Sequence, residues 1–153
     1  MLFRSGGGVA ILIPDHQKND AVQVYSGVEL EVIAVRLNNY NPPLCLICCY
    51  GAQEYHKNVT EYGMTELDNL ISSQLSQGVN ILLGGDINAW IGDAFNVKGN
   101  NDKVNKPGKA LIEIINKYNL FIGNSLAKRP TTDRKSTRLN SSHSQQSRMP
   151  SSA

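Results

Sequence analysis

The chain has 153 residues, 41% of them hydrophobic and 18% charged, with a formal net charge of +2. That length suffices for one domain with its own core, and no apolar run reaches the eighteen or so residues that a membrane-spanning helix needs. Residues 1–132 hold eleven Lys/Arg against twelve Asp/Glu, so the positive excess lies wholly in residues 133–153, and composition gives no argument for a basic nucleic-acid-binding surface on the rest.

Taken in chain order, the N-terminus lacks the charged lead of a signal peptide. Residues 9–13 read as a buried strand that follows a glycine run and stops at Pro14. Residues 21–25 alternate apolar and polar. Residues 28–37 alternate again, with Val28, Leu30, Val32, Ala34 and Arg36 on one side and Glu29, Glu31, Ile33, Val35 and Leu37 on the other. That pattern fits a strand with both faces partly covered. After the turn at 38–43, residues 44–50 form another buried strand closed by Gly51. Hairpin spacing of these four predicts an antiparallel sheet.

Cys45, Cys48 and Cys49 all lie in the 44–50 strand. An odd count with two adjacent residues argues against a disulfide framework and for a reducing, intracellular compartment. Zinc is disfavoured because Cys48 and Cys49 face opposite sides of a strand, so all three are assigned to structural burial.

The period then changes. Met64, Leu67, Leu70, Ile71 and Leu75 share a helical face, with Asn58 or Thr60 as candidate N-cap and Gly78 just past the end. A strand follows at 79–84, then a long Gly/Asn/Lys-rich loop at 92–108. A helix at about 107–119 carries Pro107 in its first turn and Leu111, Ile112, Ile115 and Tyr118 as its apolar stripe. Residues 120–124 read as a final strand.

Residues 79–89 are the most informative stretch. An apolar run ends in Gly84-Gly85 and then presents Asp86 and Asn88. On extended backbone these two side chains share a face and Ile87 takes the other. A carboxylate that orients or deprotonates water, beside a carboxamide that holds a phosphate oxygen, suits phosphoryl chemistry. Plainer roles exist for each: Asp86 as a turn cap, Asn88 as a turn residue, Tyr50 as amphipathic packing at a strand end. Trp90 reads as a loop anchor in the core rather than the wall of a nucleic-acid groove. His56 reads as a solvated loop residue, and Lys98, Lys103, Lys106 and Lys109 as a solvated basic loop rather than phosphate contacts.

With Cys49-Tyr50-Gly51-Ala52-Gln53-Glu54 closing one strand and Gly85-Asp86-Ile87-Asn88-Ala89 closing a later one, residues 6 to about 132 resemble the endonuclease/exonuclease/phosphatase superfamily. Within it they are most similar to the apurinic-endonuclease-like domain of non-LTR retrotransposons. Gly6-Gly7-Gly8-Val9-Ala10-Ile11, the helix over 108–119 and residues 120–124 fall in the same order and spacing.

The resemblance implies an α+β fold of two packed β-sheets flanked by helices, a four-layer αββα arrangement present here only in part. It implies that Asp86 orients or deprotonates the attacking water, that Asn88 hydrogen-bonds the phosphate or metal-bound groups, and that the Tyr50 hydroxyl contacts the scissile phosphate. It also implies Mg²⁺ as cofactor and DNA as substrate, with hydrolysis of a phosphodiester as the reaction.

The family's early Asn, its Gln-Glu pair with the metal-binding Glu, its Ser-x-Ile-Asp strand and its Asp-His pair have no counterpart here. Gln53-Glu54 follows the Tyr50 strand and is not that pair. The expectation is a fragment of a metal-dependent phosphodiesterase, inactive as this chain, with open sheet edges and marginal stability. A non-catalytic remnant or nucleic-acid-binding module, and a superfamily phosphatase acting on lipid or nucleotide phosphates, are the alternatives. No protein partner follows from these residues.

Residues 133–153 are set apart from the domain at 1–132. Asp133-Arg134-Lys135-Ser136-Thr137-Arg138-Leu139-Asn140-Ser141-Ser142-His143 resembles the translation of a short-read sequencing adaptor, and Ser147-Arg148-Met149-Pro150-Ser151-Ser152-Ala153 resembles its continuation. This serine-rich stretch is expected to be a disordered, adaptor-derived tail that carries no chemistry.

Overall fold

The computed structural model describes residues 1–4, 8–27, 29–51, 57–96 and 103–123. Gln53, Glu54, His56, Lys98, Asn124, the boundary at 132 and the adaptor-like tail lie outside the described residues.

The main sheet has four strands in the order β3 (Ala21–Ser26), β4 (Glu31–Leu37), β5 (Leu44–Tyr50) and β6 (Asn80–Asp86). The β3–β4 and β4–β5 pairs are antiparallel, whereas β5 and β6 run parallel. A parallel pair needs a long crossover, and α1 (Lys57–Ser76) supplies it. A second, two-stranded sheet pairs β1 (Leu2–Arg4) with β2 (Ala10–Leu12). The helix α2 (Lys106–Lys117) follows β6.

Strand β4 shows why the sheet is covered on both sides. Val32 and Ala34 face a core built with Cys45, Ile47 and Cys49 of β5 and Met64, Leu67, Leu70 and Ile71 of α1. Ile33, Val35 and Leu37 face the other way, onto Val9 and Ile13 flanking β2. Val32, Ile33, Ala34 and Val35 are all fully buried, as the double alternation of β4 requires. The fold is therefore α+β, with a helical layer, a mixed sheet and a second sheet stacked in that order. These are three layers of an αββα arrangement.

Several sequence expectations are corrected. The strand expected at 9–13 is Ala10–Leu12, and it leaves the main sheet to pair with Leu2–Arg4. The main sheet is mixed, because β6 adds parallel to β5. Asn58 and Thr60 fall inside α1, which already includes Lys57, so neither caps it. Lys106 and Lys109 belong to α2 rather than to a loop.

The final strand expected from Leu120 is absent over 120–123. Asn119 adopts a left-handed conformation (φ 51°), and Leu120 N–H donates to Ile115 O at 2.9 Å. That geometry closes a helix with an αL residue and turns Leu120 and Ile122 onto Leu111 and Ile115. The same device ends α1: Gly78 (φ 71°) donates to Leu75 O at 2.9 Å and Val79 donates to Gln74 O at 3.2 Å.

Strands β3 and β6 are the sheet's edges among the described residues. Leu82 on β6 shares the face of its register partner Leu46 and is 60% exposed, outside the cover of the β1–β2 hairpin.

Candidate phosphodiester site at the ends of β5 and β6

Parallel pairing brings the C-terminal ends of β5 and β6 to the same edge of the sheet. The register sets Tyr50 opposite Asp86, so both side chains leave on one face. It is the face covered further down by the β1–β2 hairpin, because Leu46 and Cys48 of β5 pack there. Gly51 N–H donates to Asp86 O at 2.8 Å and extends the ladder by one bond. The structure thus brings Tyr50, Asp86 and Asn88 together.

The chain does not stay extended through Asn88. Strand β6 ends at Asp86, and Asn88 is left-handed (φ 52°), so simple alternation does not carry Asp86 and Asn88 to one face. Hydrogen bonds hold them together instead. Asn88 N–H donates to Asp86 Oδ1 at 3.2 Å, an Asx turn, and Asn88 Nδ2 donates to Gly51 O at 2.6 Å. Asn88 therefore clips the end of β6 to the end of β5. One Asp86 oxygen and one Asn88 N–H remain outside these bonds. Both residues are partly exposed, and Tyr50 is exposed.

Two glycines make this closeness possible. A Cβ on Gly85 (φ 127°) would lie 1.9 Å from Cys49 O, and one on Gly51 would lie 2.0 Å from Ile87 O. Only a residue without a side chain fits either position.

Asn105, which the sequence reading passed over, organises the next layer. It is buried and is the N-cap of α2; its Oδ1 accepts from Gly108 N–H at 2.8 Å and from Trp90 N–H at 2.8 Å. Its Nδ2 donates to Asn88 O at 2.9 Å. One amide thus caps a helix and fixes the strand-exit loop that carries Asn88. The signal was present in sequence as an Asn two residues before Pro107.

Trp90 is anchored by its backbone, not its ring. Its carbonyl accepts from Asn105 N–H at 3.2 Å, while the residue is 45% exposed. The core-anchor reading of Trp90 is overturned.

Glu31 was also missed as a neighbour of the site. The β4–β5 register pairs Glu31 with Tyr50, so Glu31, Tyr50 and Asp86 form one row across three strands. One Glu31 oxygen, Oε2, accepts from Gly8 N–H at 2.9 Å and ties the segment before β2 to this row. Alternation placed Glu31 on the correct side of β4, but its partner on β5 depends on register.

Two of the three thiols beneath the site, Cys45 and Cys49, are buried. Burial pushes Cys49 up to about 12, with the neighbouring Cys48 and Asp86 charges adding to it, and burial pushes Cys45 up to about 11. All three cysteines are free thiols, and Cys48, on the opposite face from Cys45 and Cys49, is only half-buried.

Among the described residues no group of three His, Cys, Asp or Glu is placed to hold a metal ion. Glu31 and Asp86 stand two strands apart, about 10 Å between backbones, with Tyr50 between them. One oxygen of each is already hydrogen-bonded. Glu31 and Asp86 therefore do not converge on one cation position.

Comparison with protein-family models, with curated proteins and with solved structures returned no match.

Proposed function

We propose that this chain carries the phosphodiester-recognition part of a metal-dependent DNA phosphodiesterase of the endonuclease/exonuclease/phosphatase type, of the kind found in non-LTR retrotransposons. The observation that carries the reading is the juxtaposition of Tyr50 and Asp86 at the ends of two parallel strands, with Asn88 bonded across them. Crevices beyond the carboxyl ends of strands are where open α/β sheets bind ligands.

The Tyr50 hydroxyl donates to a non-bridging phosphate oxygen, and the second N–H of Asn88 Nδ2 supplies another donor. The Asp86 oxygen outside the Asx turn orients a water toward phosphorus. Two groups on strand ends and one in the turn that follows position a phosphodiester, yet positioning is one part of phosphoryl transfer; charge neutralisation on phosphate and leaving oxygen is another. Among the described residues no cluster of carboxylates, histidines or cysteines gathers to hold a metal ion at the phosphate, so we assign no step to Mg²⁺ and expect this chain to bind without turning over.

A non-catalytic nucleic-acid-binding role is the second reading. It is favoured by the bonds of Asp86 Oδ1 and Asn88 Nδ2 to backbone groups, which give both residues a structural duty.

The test compares wild type with Tyr50→Phe, Asn88→Ala and Asp86→Ala in two assays. The first is anisotropy of a labelled short DNA duplex, competed by the dinucleotide d(TpT). The second is nicking of supercoiled plasmid in Mg²⁺. Competition by d(TpT), weaker binding for Tyr50→Phe and Asn88→Ala, and no Asp86-dependent nicking support the reading. Binding indifferent to d(TpT) and to these substitutions contradicts it. Nicking lost in Asp86→Ala makes the chain an active enzyme and overturns the expectation of no turnover.

A further inference from the structure

Ile87, Ala89 and Ile91 pack into the hydrophobic clusters beneath the loop, and Trp90 belongs to none of them. Asn105 ties Trp90 to Asn88, its Oδ1 accepting from Trp90 N–H and its Nδ2 donating to Asn88 O, so Trp90 leaves the loop two residues from the amide that clips β6 to β5. The residue is 45% exposed, a large aromatic residue to leave in water beside a polar site.

The residue is exposed on a fixed backbone. Trp90 N–H and C=O are both bonded to Asn105, and Asn105 is itself buried at the head of α2. A Cβ on Gly108 would lie 1.8 Å from Trp90 O, so the first turn of α2 abuts the Trp90 peptide. The Ile91–Val104 bridge brings a second segment alongside. Lys103, next to the bridge, and Lys109, in the first turn of α2, are exposed on the two segments that meet Trp90.

An exposed indole on a fixed backbone, with lysines on the neighbouring segments and Asn88 two residues away, has the makings of a stacking platform for single-stranded nucleic acid. We propose that Trp90 is the positioning residue on which a nucleobase next to the bound phosphodiester stacks. The inference rests on the reading of Tyr50, Asp86 and Asn88 as that phosphodiester's site. It narrows the substrate class to strands with an unstacked base beside the phosphate, and it disfavours lipid and simple monoester phosphates, which have no base to stack.

Trp90 is the chain's one tryptophan, so its fluorescence reports on this position alone. The full chain is titrated with (dT)8 and with an abasic oligomer of the same length and charge. Binding is followed in parallel by anisotropy for wild type, Trp90→Phe and Trp90→Ala, with circular dichroism to verify folding. The expected result is quenching by (dT)8 and little by the abasic oligomer. Affinity for (dT)8 falls about tenfold in Trp90→Ala and largely returns in Trp90→Phe, while affinity for the abasic oligomer is unchanged.

Equal affinity for the two oligomers, with no quenching by (dT)8, overturns the stacking role and leaves the phosphodiester reading standing. Quenching by (dT)8 that persists while Tyr50→Phe and Asn88→Ala bind normally overturns the phosphodiester reading and keeps the platform. Absence of binding by either oligomer overturns both.

Discussion

Tyr50 and Asp86 face each other in register at the ends of β5 and β6, and the N–H of the residue after Tyr50 donates to the Asp86 carbonyl at 2.8 Å. Far apart in sequence, the two are made neighbours by one topological fact: β6 adds parallel to β5 after α1 crosses over. Every feature of the candidate site depends on that pairing.

The pairing depends in turn on Gly85. Its φ of 127° and the 1.9 Å approach of a hypothetical Cβ to Cys49 O leave no room for a side chain. Gly85→Ala is expected to cost about 3 kcal/mol or more, read as a lower urea midpoint. Gly84→Ala, where a Cβ meets nothing within 4 Å, is the control and is expected to shift the midpoint little.

Asn105 joins the helix cap to the loop of Asn88 and Trp90. Asn105→Ala removes three hydrogen bonds to backbone groups and is expected to cost about 2–3 kcal/mol. Asn105→Asp keeps the acceptor for Gly108 and Trp90 but loses the donor to Asn88 O. It should retain most of the helix cap while loosening the loop, seen as faster amide exchange at residues 88–90 with a smaller change in global stability.

Tyr25 gives a pH signature. Its hydroxyl donates to Glu66 Oε1 at 2.5 Å, while Glu66 Oε2 accepts from Leu30 N–H at 2.8 Å. The hydrogen bond to Glu66, followed by burial, raises the Tyr25 phenol from 10.0 to about 12. Because the folded value lies above the unfolded one, the protonated phenol stabilises the fold fully below pH 10, and this contribution is lost as pH rises toward about 12. Stability measured across pH 9–12 should fall more steeply for wild type than for Tyr25→Phe, and absorbance titration should show one late-ionising tyrosine that the variant lacks.

The thiols should divide by face. With Cys45 raised to about 11 and Cys49 to about 12 by burial, neither offers thiolate at pH 8. A disulfide-exchange reagent added to folded protein should label Cys48 alone, and slowly, since burial raises it too. All three should react in urea. Prompt labelling of Cys49 in the folded state would contradict the two-faced burial of β5.

The open edge of β6 is the fold's liability. Leu82 is 60% exposed on a strand with no partner on its outer side among the described residues, an arrangement prone to edge-to-edge association. Leu82→Lys is expected to reduce concentration-dependent light scattering without lowering the urea midpoint.

What was legible in the sequence was local. Alternation showed that β4 is partly covered on both faces, periodicity placed α1 and α2, and Gly78 marked the end of a helix. Register and partner choice were not legible, because they depend on pairings between distant segments. Hence Ala10–Leu12 was assigned to the wrong sheet, and Glu31 was not connected to Tyr50. At the site, alternation failed beyond Asp86 because Asn88 turns left-handed; the Asx turn and the Gly51 clip restored the closeness by another route. Leu120 carried a strand-like composition, yet the αL closure at Asn119 folded it back against Ile115. Trp90 reads as a core anchor of its loop, whereas the residue is 45% exposed and only its backbone is held, by Asn105.

Residue-resolved amide shifts of the full chain titrated with d(TpT) test the central claim most directly. The account predicts saturable shifts centred on Tyr50, Gly51, Asp86, Ile87 and Asn88, reduced in Tyr50→Phe and Asn88→Ala. Shifts concentrated elsewhere, for instance in the cleft between α1 and α2 lined by Glu61, Asp68, Lys106 and Lys117, with Asp86 and Asn88 unmoved, would contradict it.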